Sequence, residues 1–487
     1  MSSMTFLAED ASEDDRQSAR ESSYGASDAS ESPNDRMSRL SISSVDEEAV
    51  HIEIATANLA DVRLGIARPE GYVKLGTRLP FRVPRTLADL STSWLTKALR
   101  FRKYLPDDAS VEAVETKPIG EGGGVMGDIG IVMMTLSANA PESCPRRMVA
   151  KFSPQGKAPL PRIVMRAIFK SESHFYNDFS VRDAGLSRPE CYFALYDARR
   201  AKPTFCMLVE DMMPAVGFTR IKSTDELERC QQAVCALARL HARWWEHPKK
   251  APLDWLVHPT QDLGGLLLRA MLRATHTGMA SLSRIYADVY APIAAWMPQL
   301  RRYHQYIQRE LFKPPLTMCH GDAHIENVFY HPRFAGGCAF IDFGNMMFGP
   351  GVSDVAFFMV HSLDVDVRRN VEEATVRAYH AALIANGVDE AAFPWERCWR
   401  DYRFNLWRAL LAVMTIAPSL EHQHKTGTGI FSEKPTKGDA TLREMYDKLN
   451  ERCVAALLDH DWLSLVLEGT ETCVSCGCVP FCNTICY

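Results

Sequence analysis

The hydrophobic period changes once along this chain, and that change limits the folds open to it. From Val111 to Phe152 apolar residues alternate, as at Ile129, Ile131 and Met133, around a glycine-rich turn at Gly120–Gly127 and before a further apolar strand at Met148–Phe152. Alternation of this kind marks half-buried strands. Past a capping-box signature at Ser223 and Glu226 the steps become three and four, through Leu227, Cys230, Val234, Leu237, Leu240 and Trp244, which predicts a helix. Amphipathic stretches over 263–311, 366–386 and 395–416 extend the helical half, and a weaker helix start at Thr86-Leu-Ala-Asp89 precedes the strands. Strands on short turns predict an antiparallel meander, and their segregation from the helices predicts an α+β plan of two lobes joined by the short apolar bridge Phe205–Met212.

Composition removes several other classes. The 487 residues are 46% hydrophobic and 24% charged, enough for one large or two moderate cores. The formal charge of −5 is unevenly placed, because residues 1–50 hold 12 acidic and 4 basic side chains (4 − 12 = −8) and the remainder carries +3. Those 50 residues include 13 Ser and few bulky apolar groups, so they are expected to form a disordered tail. No clustered basic face predicts a nucleic-acid partner. The start lacks a basic-then-apolar leader, and Arg269 and Arg273 interrupt the longest apolar candidate, so neither a signal peptide nor a transmembrane span is expected and the chain reads as soluble and cytoplasmic. No signal bears on oligomeric state.

The densest chemistry lies in Met318-Cys-His-Gly-Asp-Ala-His-Ile-Glu-Asn327 and in Ala339-Phe-Ile-Asp342-Phe-Gly344. Asp322 and Asn327 stand five apart on a segment with no helical or strand period, and Asp342 ends a short apolar run before a glycine. Two carboxylates and an amide brought together at loop ends supply hard oxygen donors and a base, the set that Mg²⁺ and phosphoryl transfer require. His320 and His324 are four apart, but the intervening Gly321 makes a loop rather than a zinc-binding helix.

This combination resembles the catalytic and metal loops of the protein-kinase-like phosphotransferases, in particular the aminoglycoside phosphotransferase and choline kinase branch, with His320-Gly-Asp322 as its hallmark. Leu208-Val-Glu-Asp-Met212, Leu240-His-Ala242 and Gly349-Pro-Gly-Val-Ser-Asp354 are similar to the ecdysteroid kinase-like group, and the likeness runs over roughly residues 85–465. It implies a protein-kinase-like two-lobed fold, with an N-lobe over 80–207, a hinge at 208–213, a helical C-lobe over 214–466 and a Cys-rich tail over 467–487. It implies ATP and Mg²⁺ as cofactors and a small-molecule hydroxyl as acceptor. By the same resemblance Asp322 is the catalytic carboxylate, Asn327 and Asp342 are the Mg²⁺ ligands, and His320 holds the loop in place. The family often has Gly before the Asn, where this chain has Glu326.

On the nucleotide side, Gly122, Gly124 and Gly127 satisfy G-x-G-x-x-G, yet the following Asp128–Leu136 alternates like a strand rather than opening a helix. That context fits a hairpin whose amides approach phosphates, or a plain glycine-rich hairpin. Lys151 shares a strand face with Val149, placing Val149 toward adenine and the ammonium toward phosphates. Glu172, in a Glu-x-x-Phe-Tyr signature of the ecdysteroid kinase-like group, is expected to pair with Lys151. The main chain of Glu210 and Met212 is expected to meet the adenine edge. His241 and the aromatic stripe Trp395, Trp399, Tyr402, Trp407 read as packed helix residues, part of that last helix lining the acceptor pocket by analogy, and Asp354 as a brace for the catalytic loop.

Five of the 14 cysteines, Cys473, Cys476, Cys478, Cys482 and Cys486, fall in the last 15 residues. Such a cluster suits an inert reduced tail, soft-metal or redox chemistry, or lipidation. The function expected from all this is an ATP- and Mg²⁺-dependent O-phosphotransferase; the alternative is an inactive nucleotide-binding or scaffolding relative.

Overall fold

Local chain chemistry explains where the first elements begin and end. The fold is that of a computed structural model, which describes residues 83–119, 128–154, 162–179, 184–197, 204–212, 219–220, 227–247, 253–261, 266–429 and 437–475. The expected helix start at Thr86 proves to be a single 3-10 turn, Leu87–Asp89, because the Asp89 carboxylate turns back to accept the N–H groups of Arg85 and Thr86. The first α-helix, α1 (Thr92–Phe101), starts one turn later, where the Ser91 hydroxyl accepts the Trp94 N–H at 3.2 Å.

Five strands then form one antiparallel sheet: β1 (Val111–Pro118), β2 (Asp128–Leu136), β3 (Arg147–Phe152), β4 (Cys191–Asp197) and β5 (Thr204–Glu210), in the order β1-β2-β3-β5-β4. The first three make the expected meander. Alternation along β3 divides the sheet faces. Met148, Ala150 and Phe152 join Leu95 and Leu99 of α1 in one apolar core, whereas Val149 and Lys151 face the other way, toward α2 (Arg162–Asp178). The bridge expected over Phe205–Met212 is mostly strand: Thr204–Glu210 pairs with β3 on one side and β4 on the other, and six of its seven residues are buried. An apolar run bounded by neighbours on both edges reads like a linker in sequence but fits only a central strand.

The C-terminal half is helical. α3 (Leu227–Arg243) follows a two-residue strand, β6 (Thr219–Arg220), and the expected long stretch over 263–311 divides into α4 (Leu266–Ile285), α5 (Ala287–Ala294), α6 (Met297–Arg302) and α7 (His304–Leu311). Short strands β7 (Thr317–Cys319), β8 (Val328–Tyr330), β9 (Cys338–Phe340) and β10 (Met347–Gly349) interrupt the helices and carry the polar loops. Helices α8 (Val352–Ser362), α9 (Val365–Ala385), α10 (Trp395–Thr426), α11 (Lys437–Asp459) and α12 (Trp462–Ser475) complete the described chain. Ten of the eleven residues of α8 are buried, so its apolar character all round reflects a position inside the helical layer. Tyr402 and Trp407 of the aromatic stripe of α10 are core and Trp395 and Trp399 are half-buried against it; Trp407 stacks on Trp462 of α12 with centroids 4.5 Å apart, and truncating either would cost roughly 3–5 kcal/mol.

The result is the α+β arrangement expected from the change of period. No helix among the described residues is long and apolar enough to cross a membrane. The acidic N-terminal segment, the Ser223/Glu226 signature, Gly122, Gly124 and Gly127, and the cysteines beyond Ser475 lie outside the described residues.

Candidate active site

Four segments converge between the sheet and the helices. From the sheet comes Lys151, on the β3 face turned away from the α1 core. Its Nζ donates to both carboxyl oxygens of Glu172 on α2, at 3.0 and 2.9 Å, and to Asp342 Oδ1 at 3.0 Å. Glu172 is fully buried, while 38% of the Asp342 side chain remains exposed. Burial works against the ammonium, yet Asp342 and Glu172 outweigh it and hold Lys151 above the ordinary lysine range. Burial likewise opposes ionisation of Asp342, and Lys151 overcomes it to keep that carboxyl below its usual value. For Glu172 the balance falls differently: burial pushes it up to about 7, offset only in part by Lys151. These two tendencies conflict for a single ion pair, and the bidentate contact on one ammonium favours the ionised form of Glu172.

Asp342 follows β9 and Ile341, with left-handed backbone at φ 65° and ψ 70°. The 3-10 turn Phe343–Asn345 comes next, and α2 grips it. Phe343 stacks on Phe175 with centroids 4.1 Å apart, and its carbonyl accepts the Ser171 hydroxyl at 3.0 Å. A Cβ on Gly344 would come 2.6 Å from Ile168 Cγ2, so the absence of a side chain there lets turn and helix meet.

Asp322 sits on the loop after β7. The loop owes its shape to Asp354 near the start of α8, whose carboxylate accepts the N–H groups of His320 at 2.6 Å and Gly321 at 2.9 Å, as expected of a brace. His241 Nε2 lies 3.2 Å from the same carboxylate and its Nδ1 2.9 Å from the Tyr379 hydroxyl. Burial opposes the charge on Asp354, but His241 and the loop amides keep its carboxyl below the ordinary range. His320 donates from Nε2 to the Ile341 carbonyl at 3.0 Å, tying the Asp322 loop to the segment that carries Asp342. Burial lowers its tendency to protonate, which suits this structural part.

Pairing of β8 with β9 sets Val328 opposite Phe340, and the Ile341 N–H donates to the Asn327 carbonyl at 3.0 Å, so Asn327 stands beside the approach to Asp342. The Asn327 Nδ2 donates to the Asp322 carbonyl at 2.9 Å and lies 3.2 Å from His324 Nε2. With its amide nitrogen engaged, Asn327 keeps an amide oxygen, and Asp342 a carboxylate, of the hard-oxygen kind that Mg²⁺ takes. The donor set therefore fits the ion implied by the sequence.

The remaining expected residues fall as follows. Val149 is half-buried, pairs with Val209 of β5 and shares the Lys151 face. Glu210 ends β5; its side chain pairs with Arg333 of the β8–β9 turn and accepts the Glu190 N–H at 3.2 Å. Met212, two residues on, is buried against Phe329 and Ala339. The three glycines lie outside the described residues, but β1 and β2, on either side of them, pair antiparallel with Pro118 opposite Gly130, which makes a hairpin and not the strand-to-helix turn of a dinucleotide site. Three participants were not anticipated. Asn345 donates from Nδ2 to Asp322 Oδ2 at 3.2 Å. Arg333 reaches the end of β5 from a loop with no periodic signal. Tyr446 on α11 has its phenol pushed up by burial, then by the nearby Asp322 carboxylate, so α11 brings an aromatic group within electrostatic reach of Asp322. A glycine–asparagine pair directly after Asp342-Phe was the one available signal for Asn345.

The ecdysteroid kinase-like family matches over residues 129–388, more than half of the chain. The chain belongs to that family. No curated protein matches it. Among solved structures it is similar to a Plasmodium vivax ethanolamine kinase, at 11% identity with 71% of this chain and 82% of that one covered and a TM-score of 0.43. A microcompartment-associated aminopropanol kinase covers 76% of this chain and 99% of its own at 15% identity, with a TM-score of 0.41. An amicoumacin kinase in complex with AMP-PNP, Ca²⁺ and Ami covers 69% of this family member and 88% of its own length at 11% identity, with a TM-score of 0.40.

Proposed function

We propose that this member of the ecdysteroid kinase-like family transfers the terminal phosphoryl group of ATP to a hydroxyl of a small molecule. The observation that carries the reading is the position of the Lys151 ammonium between Glu172 and Asp342, on a segment that Ile341 ties to the loop of Asp322 and Asn327. In this reading Glu172 holds Lys151 toward the phosphates, Gly122, Gly124 and Gly127 offer backbone amides above them, and Val149 packs on adenine. The main chain of Glu210 and Met212 at the end of β5 meets the adenine edge. Asp342 and Asn327 would hold Mg²⁺, which when bound would neutralise phosphate charge.

Asp322 accepts the acceptor hydroxyl proton as the oxygen forms its bond to phosphorus. The bond from phosphorus to the bridging oxygen breaks, and ADP leaves with that electron pair. The proton on Asp322 then passes to solvent, so atoms and charge balance. A cytoplasmic setting, with its supply of ATP, goes with this reading.

A screen of hydroxyl-bearing metabolites with labelled ATP tests it, using Asp322→Asn as control. Wild type should label at least one compound, and the variant should lose turnover by at least about 100-fold while still binding Mg-nucleotide in calorimetry. Undiminished turnover in Asp322→Asn, or no Mg-ATP binding by folded wild type, would overturn it; the second result would favour a scaffolding relative.

A further inference from the structure

Asp322 is anchored through its backbone in two places: its N–H donates to His320 Nδ1 at 3.3 Å and its carbonyl accepts Asn327 Nδ2 at 2.9 Å. Neither contact fixes the rotation of the carboxylate. The hydrogen bond that does so comes from the turn after Asp342, where Asn345 Nδ2 donates to Asp322 Oδ2 at 3.2 Å, while His324 Nε2 stands 3.8 Å from Oδ1. The close approach of the two segments is built into the backbone. Gly321, the residue before Asp322, has φ 80°, and a Cβ there would stand 2.0 Å from the Asn345 carbonyl oxygen. Any side chain at 321 would push the Asn345 turn away from the carboxylate it touches.

We propose that Asn345 is a positioning residue for phosphoryl transfer: its amide donates to Asp322 Oδ2 and so sets the rotation at which the carboxylate meets the acceptor hydroxyl. The assignment rests on the reading of Asp322 as the proton acceptor. It also gives the turn a second task. Asp342 begins the turn and Asn345 ends it, so the segment that carries the metal ligand also sets the angle of the base. A carboxylate accepts at either oxygen, and an amide can donate or accept, so the geometry needs the asparagine nitrogen specifically. Aspartate, its isostere, would place an acceptor against an acceptor.

Three variants test this, namely Asn345→Ala, Asn345→Asp and the donor-retaining Asn345→Gln. The first two should lower kcat roughly 10- to 100-fold, the range expected for a lost hydrogen bond to a charged group. KM for both substrates and calorimetric affinity for Mg-nucleotide should stay within about 2-fold, because the contact does not touch nucleotide. Asn345→Gln should recover much of the lost kcat. Unchanged kcat in Asn345→Asp overturns the proposal, and so does a joint fall of kcat, nucleotide affinity and melting temperature in all three, which would mark a structural residue only. Crystal structures of wild type and Asn345→Ala read the same point without turnover: the Asp322 carboxylate should rotate in the variant, and an unmoved carboxylate overturns the proposal. A wild type that labels no hydroxyl compound overturns the phosphotransferase reading alone, since the crystallographic comparison still decides the positioning.

Discussion

The backbone N–H of His320 is held by the Asp354 carboxylate at 2.6 Å, from a residue 34 positions later in the chain. Both groups are fully or almost fully buried, and Asp354 also takes the Gly321 N–H and faces His241. Replacing Asp354 by Ala would leave the buried His320 amide, the half-buried Gly321 amide and the buried His241 imidazole without their acceptor. We expect Asp354→Ala to lose roughly 3–5 kcal/mol in urea unfolding, and turnover to fall although the residue touches no ligand. A loss under about 1 kcal/mol would show that the loop has another support.

Lys151 separates two carboxyl groups, and its removal should therefore have a pH-dependent cost. Burial pushes the Glu172 carboxyl up, and the Lys151 ammonium pulls it back. Without the ammonium it rises further, so the folded state binds a proton more tightly than the unfolded chain, and stability falls as pH increases through the folded value. Urea midpoints of Lys151→Ala should lie further below wild type at about pH 8 than at about pH 5. An equal deficit at both pH values would contradict the ionised pair.

His361 makes the opposite case. Burial, with Arg452 adding to it, lowers its pKa from 6.5 to about 3, while its Nε2 donates to the Ala409 carbonyl at 3.0 Å. The unfolded chain takes up a proton below 6.5 and the folded chain does not, so stability present above that value is lost as pH falls toward 3. The slope from this one group is about 1.4 kcal/mol per pH unit. His361→Gln keeps a donor for Ala409 and has no titrating group. Its unfolding free energy should decline less steeply between about pH 6 and pH 4 than that of wild type.

Arg333 clasps Glu210 where β5 leaves the sheet. The Arg333 side chain is 39% exposed, so the pair is worth under about 1 kcal/mol to folding. Its position at the expected adenine edge matters more. Arg333→Ala should leave the melting temperature nearly unchanged and weaken Mg-ATP several-fold in calorimetry; unchanged affinity would remove the clasp from the nucleotide site.

The residues legible in advance were those whose chemistry is carried by type and spacing. The pairing of Lys151 with Glu172 and the bracing by Asp354 were expected from motifs, and the structure brings these groups together. Period alone was enough for the antiparallel meander, because alternating residues must choose a face. It failed at β5, where burial on both faces erases alternation, and at 263–311, where breaks near Tyr286 and Pro298 are local turns inside one apolar pattern. Asn345, Arg333 and Tyr446 share another reason. Each gains its place from a contact made across more than twenty residues of chain, 23 for Asn345 with Asp322 and 123 for Arg333 with Glu210, and no local spacing encodes such a meeting.

The grip of α2 on the turn after Asp342 has a pharmacological consequence. Phe343 stacked on Phe175, the Ser171 bond and the bare Gly344 against Ile168 pack the Glu172 helix and the Asp342 turn into one unit. A compound that wedges between the two phenyl rings would not need to compete with nucleotide. By parting helix from turn it would loosen the Lys151 contacts and the bond from Asn345 to Asp322 at once, so on the phosphotransferase reading proposed above one apolar contact would bear on nucleotide, metal and acceptor alike.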